Sequence, residues 1–160
     1  MPTPAKKILF ICTGNVCRSL MAELLMARLS QQRGLGLEVR SCGVAAEIYF
    51  EIPPGVRVAL AEVGITEISH EAQLVTHDLL GWADLALTMT RAHCAGLADR
   101  FPEFEFKLHP LRGYAGLDEM DILDPLGRPA KAFAQCRDKI TEALEAVARK
   151  LQAPTGDSRP

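Results

Sequence analysis

The chain has 160 residues, 48% of them hydrophobic and 24% charged, with a formal net charge of −2. This is the length and composition of one globular domain built on one core. The charge gives no bulk attraction for nucleic acid or an anionic membrane surface, and no apolar run is long enough to span a bilayer. We expect a single domain over residues 1–160, with its core at about 6–151 and a polar tail, "QAPTGDSRP", that frays. The N-terminus has neither the long apolar region nor the small-residue cleavage site of a signal peptide, so a cytoplasmic location is expected, with no membrane and no nucleic acid among its partners. The five cysteines are odd in number and irregular in spacing, and the chain is large enough not to need staples. They predict neither a disulfide framework nor a zinc site.

In chain order, "ILFIC" (8–12) is a continuous apolar run and predicts a strand buried on both faces. A polar, glycine-containing loop follows. Then "SLMAELLMARLSQQRG" sets Leu20, Met21, Leu24, Leu25 and Leu29 three and four residues apart, an amphipathic helix closed by Gly34. "LEVRSCG" (37–43) reads as a second strand. "PPGVRVALAEVGI" (53–65) reads as a helix with proline at its start, and "THDLLGWA" (76–83) as a short helix capped by Thr76. "ADLALTMT" (83–90) is a third strand, and "RAHCAGLADR" a helix that stops before Pro102. "FEFKLHPL" (104–111) is expected to be the fourth strand, and a long helix is expected from about Ala130 to Leu151. Strands alternating with helices predict an α/β three-layer sandwich: a four-stranded parallel sheet with helices on both faces. Such sheets bind ligands outside the carboxyl ends of their strands, at a topological switch point.

The loop at the end of the first strand is the candidate site. A strand, a tight turn and a helix N-terminus direct backbone N–H groups and the positive end of a helix dipole at one spot, which suits an anion. Gly14 permits an unusual backbone angle and Asn15 tolerates a left-handed one. Arg18 adds a planar fork for phosphate oxygens. Cys12 in that field is expected to be a thiolate aimed at phosphorus, with Ser19 donating a hydrogen bond to the sulfur. No Gly-Lys-Ser/Thr follows, so the loop is not a nucleotide-binding P-loop.

"CTGNVCRS" resembles the Cys-x5-Arg-Ser signature of the low-molecular-weight protein tyrosine phosphatase family, which includes bacterial protein arginine phosphatases. The family's second signature, a late Asp-Pro, has its counterpart in "DILDPLG" (121–127). The resemblance implies the flavodoxin-like, phosphotyrosine phosphatase I fold. It implies a phosphate-binding loop of Thr13, Gly14, Asn15, Val16, Cys17, Arg18 and Ser19. Cys12 is then the nucleophile that forms a phosphocysteine, Arg18 the phosphoryl ligand, and Asp124 the general acid and later base. Asp118, Glu119 and Asp121 are expected to crowd Asp124 with like charge and favour its protonated form. Asn15, Ser41 and His70 resemble the family's polar network behind the loop. Cys17 resembles a second loop cysteine able to form a reversible disulfide with Cys12, or else it fills space. No metal or cofactor is implied, because Arg18 and backbone dipoles carry the charge. A phosphorylated protein is the implied substrate and inorganic phosphate the product.

His77, His93 and His109 match no motif and are expected at the surface or in packing; Cys42, Cys94 and Cys136 are expected to pack. Leu20 stands where the family usually has proline. Leu126 and Gly127 stand where tyrosine phosphatases often carry aromatic residues, so Tyr49 and Phe50 are expected to supply the opposite wall of the substrate rim, facing Leu126. Val16 keeps the branched shape of the tyrosine enzymes' isoleucine and lacks the threonine hydroxyl of the arginine enzymes. Thr13 and "DPLG" resemble the arginine type. The expected substrate is phosphotyrosine, with phosphoarginine close behind. Arsenate reduction coupled to thioredoxin ranks lower, because "LTMTRAHCAGL" offers only Cys94 for a relay needing two cysteines; a non-catalytic phosphate-binding module ranks last, because Cys12 and Asp124 are both present.

Overall fold

A computed structural model describes residues 5–152 of the chain. The expectation of a fraying tail concerns residues that lie, but for Gln152, outside that range. The elements are β1 (Lys7–Cys12), α1 (Arg18–Arg33), β2 (Glu38–Gly43), α2 (Pro54–Ala61), α3 (His77–Trp82), β3 (Leu85–Thr88), α4 (Arg91–Arg100), β4 (Leu108–Pro110), α5 (Leu111–Tyr114) and α6 (Ala130–Gln152). The four strands form one sheet in the order β2-β1-β3-β4, and every pairing is parallel.

Continuous hydrophobicity in β1 follows from cover on both faces. Ile8, Phe10 and Cys12 face a cluster with Leu20, Met21, Leu25 and Met26 of α1, Val56 and Leu60 of α2, and Ile140, Leu144 and Val147 of α6. Leu9 and Ile11 face the other side, against Leu79 and Leu80 of α3 and Leu97 of α4. The layers are therefore helix, sheet, helix, as the sequence predicts. Gly34 closes α1 in the left-handed region, with φ 63° and ψ 38°. Thr76 caps α3 as expected: its hydroxyl oxygen accepts the Leu79 N–H at 3.1 Å.

The expected strand at 104–111 is a correction. Residues 102–107 form a 3₁₀ helix, and only Leu108–Pro110 pair with β3. Pro102 opens the turn, the Phe104 N–H returns to the Phe101 carbonyl, and the Lys107 ammonium donates to the Leu80 and Ala83 carbonyls at 2.9 and 2.6 Å. The apparent two-residue alternation arises without a ladder: Phe104 packs on the α3–α4 cluster, whereas Phe106 is exposed. The α2 helix also ends at Ala61 rather than at 65, because Gly64 sits at φ 89°. The short α5 helix carries no periodic signal in the sequence.

The β2-β1-β3 order puts the switch point at the carboxyl end of β1. Chains leaving β1 and β3 diverge there, so the loop after Cys12 meets the start of α4. Gly43, paired with Cys12, closes the other side of that loop. A side chain at Gly43 would press on the Thr13 carbonyl and lie 3.0 Å from both Ala46 Cβ and the Asn15 nitrogen. Gly43→Ala is therefore expected to cost about 1–3 kcal/mol of stability, read as a lower urea midpoint; an unchanged midpoint would show that the loop yields freely.

Candidate active site

Cys12 ends β1 almost fully buried. Its Sγ lies 2.9 Å from Ser19 Oγ and receives the Asn15 N–H at 3.3 Å. Asn15 holds φ 62° and is completely buried. Its side-chain oxygen accepts the Gln73 N–H at 2.9 Å, which fixes which end of the amide is nitrogen. That nitrogen donates to Ser19 Oγ at 3.0 Å and to Ser41 Oγ at 2.9 Å. Ser19 Oγ thus already accepts, and its own proton is free for the sulfur. Two donors converge on Sγ. Ser41 donates onward to Glu23, and His70 Nε2 donates to the Asn15 carbonyl at 2.6 Å. Hydrogen bonds thus bring Asn15, Ser19, Ser41 and His70 together.

Arg18, the first residue of α1, is 5% exposed. One terminal nitrogen donates to the Ile122 carbonyl at 2.9 Å; the other lies 3.4 Å from Thr13 Oγ1 and 3.7 Å from Asp124 Oδ2. Its Nε is buried with no partner among the described residues. Asp124 is 41% exposed on its side chain, and its Oδ1 accepts the Leu126 N–H at 3.1 Å. The expected crowding of Asp124 by like charge needs correction. Asp121 turns away to Arg91, whose backbone N–H at 2.8 Å and guanidinium hold its carboxyl below the usual range. Glu119 bonds Lys139 at 2.7 Å, and Asp118 contributes a carbonyl to Arg112. The ion pair Asp124 makes is with Arg18.

The thiols are all free. Hydrogen bonding with the Cys136 thiol, followed by burial, pushes Cys17 far above the ordinary thiol range, so it stays a neutral thiol packed against α6. Burial likewise pushes Cys42 and Cys94 up. Phe50 covers Gly14, and Tyr49 meets Phe50 edge to face with centroids 5.3 Å apart. Ile48, Leu123 and Leu126 add exposed apolar surface, the first two unforeseen. Val16 packs with Ala46 and Ala72. Among the described residues, no group of three or more His, Cys, Asp or Glu is placed to hold a metal ion, and no helix is long and apolar enough to cross a membrane.

Two participants escaped the sequence reading. Gln73 lies in a connection without periodicity, and nothing in its surroundings marks it. His93, expected only at the surface or in packing, puts Nε2 2.9 Å from Thr13 Oγ1; the switch-point topology was the available signal. Burial, then the Arg18 charge, pushes the His93 pKa down to about 4 from 6.5, against smaller opposing effects of Asp121 and Asp124. The unfolded chain therefore takes up this proton at higher pH than the folded one. The His93 contribution is complete above pH 6.5 and is lost as pH falls toward 4. His109, also lowered by burial, acts in the same direction. Stability is thus expected to fall with pH across this window less steeply in His93→Gln than in the wild type. Equal slopes in urea titrations would contradict the assignment.

Residues 7–155 match the family model described as low molecular weight phosphotyrosine protein phosphatase. The chain is 37% identical to a protein-arginine-phosphatase of Bacillus subtilis (strain 168), over 91% of this chain and 96% of that one. It superposes on a mutant of the arginine phosphatase YwlE with a phosphorylated active-site serine (TM-score 0.88, 35% identity, 93% of this chain and 97% of that one). It also superposes on a low molecular weight protein tyrosine phosphatase from T. tengcongensis (TM-score 0.86, 32% identity, 91% and 99%). With its Cys-x5-Arg-Ser loop and its Asp-Pro loop on this sheet, the chain belongs to the low molecular weight phosphotyrosine protein phosphatase family.

Proposed function

We propose that this protein is a phosphotyrosine phosphatase working through a phosphocysteine. The observation that carries the reading is the convergence of the Asn15 N–H and the Ser19 hydroxyl on Cys12 Sγ, beside a buried Arg18 that Asp124 faces at 3.7 Å. In the first step the phosphoryl dianion sits in the loop, its oxygens bound by backbone N–H groups and Arg18. The sulfur attacks phosphorus, the ester P–O bond breaks, and Asp124 gives its proton to the departing oxygen. In the second step water attacks phosphorus, the Asp124 carboxylate takes the water's proton, and the P–S bond breaks. Its electrons return to sulfur, which the Ser19 hydroxyl and Asn15 N–H stabilise. Inorganic phosphate leaves. Charge is handled throughout by preorganised donors of the chain itself.

The apolar rim supports an aromatic substrate. Phe50 covers Gly14 with Tyr49 edge-on to it, Leu126 is exposed just after the Asp-Pro, and Val16 offers no hydroxyl at the loop. Phosphoarginine is the second reading, favoured by the 37% identity to an arginine phosphatase. Against it, the Thr13 oxygen is already engaged by His93 and Arg18 and is not left to accept from a substrate guanidinium. The free thiols fit a reducing, cytoplasmic setting. Arsenate reduction lacks support in the segment after β3, where Cys94 stands alone and is held as a thiol by burial.

Phosphotyrosine peptides are expected to turn over faster than phosphoarginine peptides, and Val16→Thr should shift the ratio toward phosphoarginine by about tenfold or more, because a buried hydroxyl discriminates through its hydrogen bond. A wild type that prefers phosphoarginine would overturn the substrate assignment. Cys12→Ser should abolish turnover while inorganic phosphate still binds. Asp124→Asn should lower kcat by about 10²–10⁴, with the smallest loss on aryl phosphates whose phenol is acidic and needs no proton. A loss independent of the leaving group would remove Asp124 from the general-acid role.

A further inference from the structure

We infer that His93 is a positioning residue for the phosphate loop: its Nε2 holds the Thr13 hydroxyl and, through it, the Arg18 fork. The inference deepens the phosphatase reading and rests on it. His93 Nε2 is 2.9 Å from Thr13 Oγ1, and that oxygen accepts an Arg18 terminal N–H at 3.4 Å. The three groups form one chain from the start of α4 across the switch point to the guanidinium.

Two simpler roles do not explain the side chain. Helix capping is done by the backbone: the His93 N–H donates to Thr90 Oγ1 at 3.0 Å, which any residue at this position would do. Packing is a poor description as well. The ring is only partly enclosed, and it lines a cavity of about 200 Å³ with Val44, Leu97 and Arg100. Its Nδ1 is buried with no partner among the described residues. A polar ring that leaves one nitrogen unpaired while aiming the other at a loop hydroxyl has a cost that an apolar residue would avoid.

The direction of the bond follows from this arrangement. A buried N–H without a partner is rarer than an unpaired lone pair, so the proton belongs on Nε2, which donates to Thr13. Thr13 Oγ1 then accepts from both His93 and Arg18, and its own hydroxyl proton points free, available to an anion in the loop. The charged groups around the ring are Arg18, Asp121 and Asp124, and the neutral ring adds no repulsion to the Arg18 charge. His93 thus fixes two donors toward phosphate without carrying charge itself. Gln has the reach to present an amide N–H at the same place.

The test measures kcat, KM and inhibition by inorganic phosphate for the wild type, His93→Ala, His93→Gln, Thr13→Val and the double variant His93→Ala with Thr13→Val. Loss of one such hydrogen bond corresponds to roughly tenfold. His93→Ala is expected to lower kcat/KM and phosphate affinity by about that factor, and His93→Gln to restore most of both. In the Thr13→Val background the His93→Ala loss should vanish, because the two groups act as one unit. An undiminished loss in that background, no loss at all, or a loss that Gln fails to rescue would each overturn the inference. Should no phosphorylated peptide be turned over even by the wild type, the phosphatase reading fails, and the phosphate-affinity comparison still decides the role of His93.

Discussion

The left-handed backbone at Asn15 is the constraint on which the site depends. A non-glycine residue at φ 62° costs roughly 1–2 kcal/mol. Here the cost is offset by a closed set of bonds: Gln73 to the side-chain oxygen, the side-chain nitrogen to Ser19 and Ser41, and His70 to the carbonyl. The partners come from three segments. Ser19 is on α1, Ser41 on β2, and His70 and Gln73 in the connection leading to α3. The Asn15 N–H in this loop reaches the sulfur at 3.3 Å. The sheet, through the Cys12–Gly43 pairing, and the polar network therefore hold one loop geometry between them.

The second constraint is an unfinished charge. Arg18 is buried, yet its pair with the half-exposed Asp124 is long at 3.7 Å and its Nε has no partner among the described residues. A buried guanidinium with spare donors is poorly compensated. An oxyanion in the loop supplies the missing acceptors, so the folding energy held in the network serves ligand binding. Asp121 and Glu119 complement this arrangement by giving their charge to Arg91 and Lys139, which anchors the loop carrying Asp124 without competing for Arg18.

Much of this was legible in the residues. The apolar β1 run, the α1 periodicity and the Gly34 stop described the first crossover, and the loop's chemistry could be read from Cys12, Asn15, Arg18 and Ser19 in sequence. What escaped was set by tertiary contact. The Phe104–Lys107 stretch alternates like a strand, but the Lys107 bonds to the end of α3 coil it into a 3₁₀ turn. The acidic run near Asp124 suggested like-charge crowding because the sequence does not show that Arg91 and Lys139 reach it. Gln73 and His93 are remote from the loop in sequence and reach it only once the strand order is known.

The central claim is that Cys12 carries the phosphoryl group between the two steps. The most direct measurement is rapid quench of Asp124→Asn mixed with an aryl phosphate, followed by peptide mass analysis under conditions that preserve S–P bonds. With an acidic phenol as leaving group the first step proceeds without a proton donor, whereas the second lacks its base. Phosphoryl mass is expected to accumulate on the peptide containing Cys12, up to one group per chain. Turnover without any such adduct, or an adduct on another residue, would contradict the covalent mechanism.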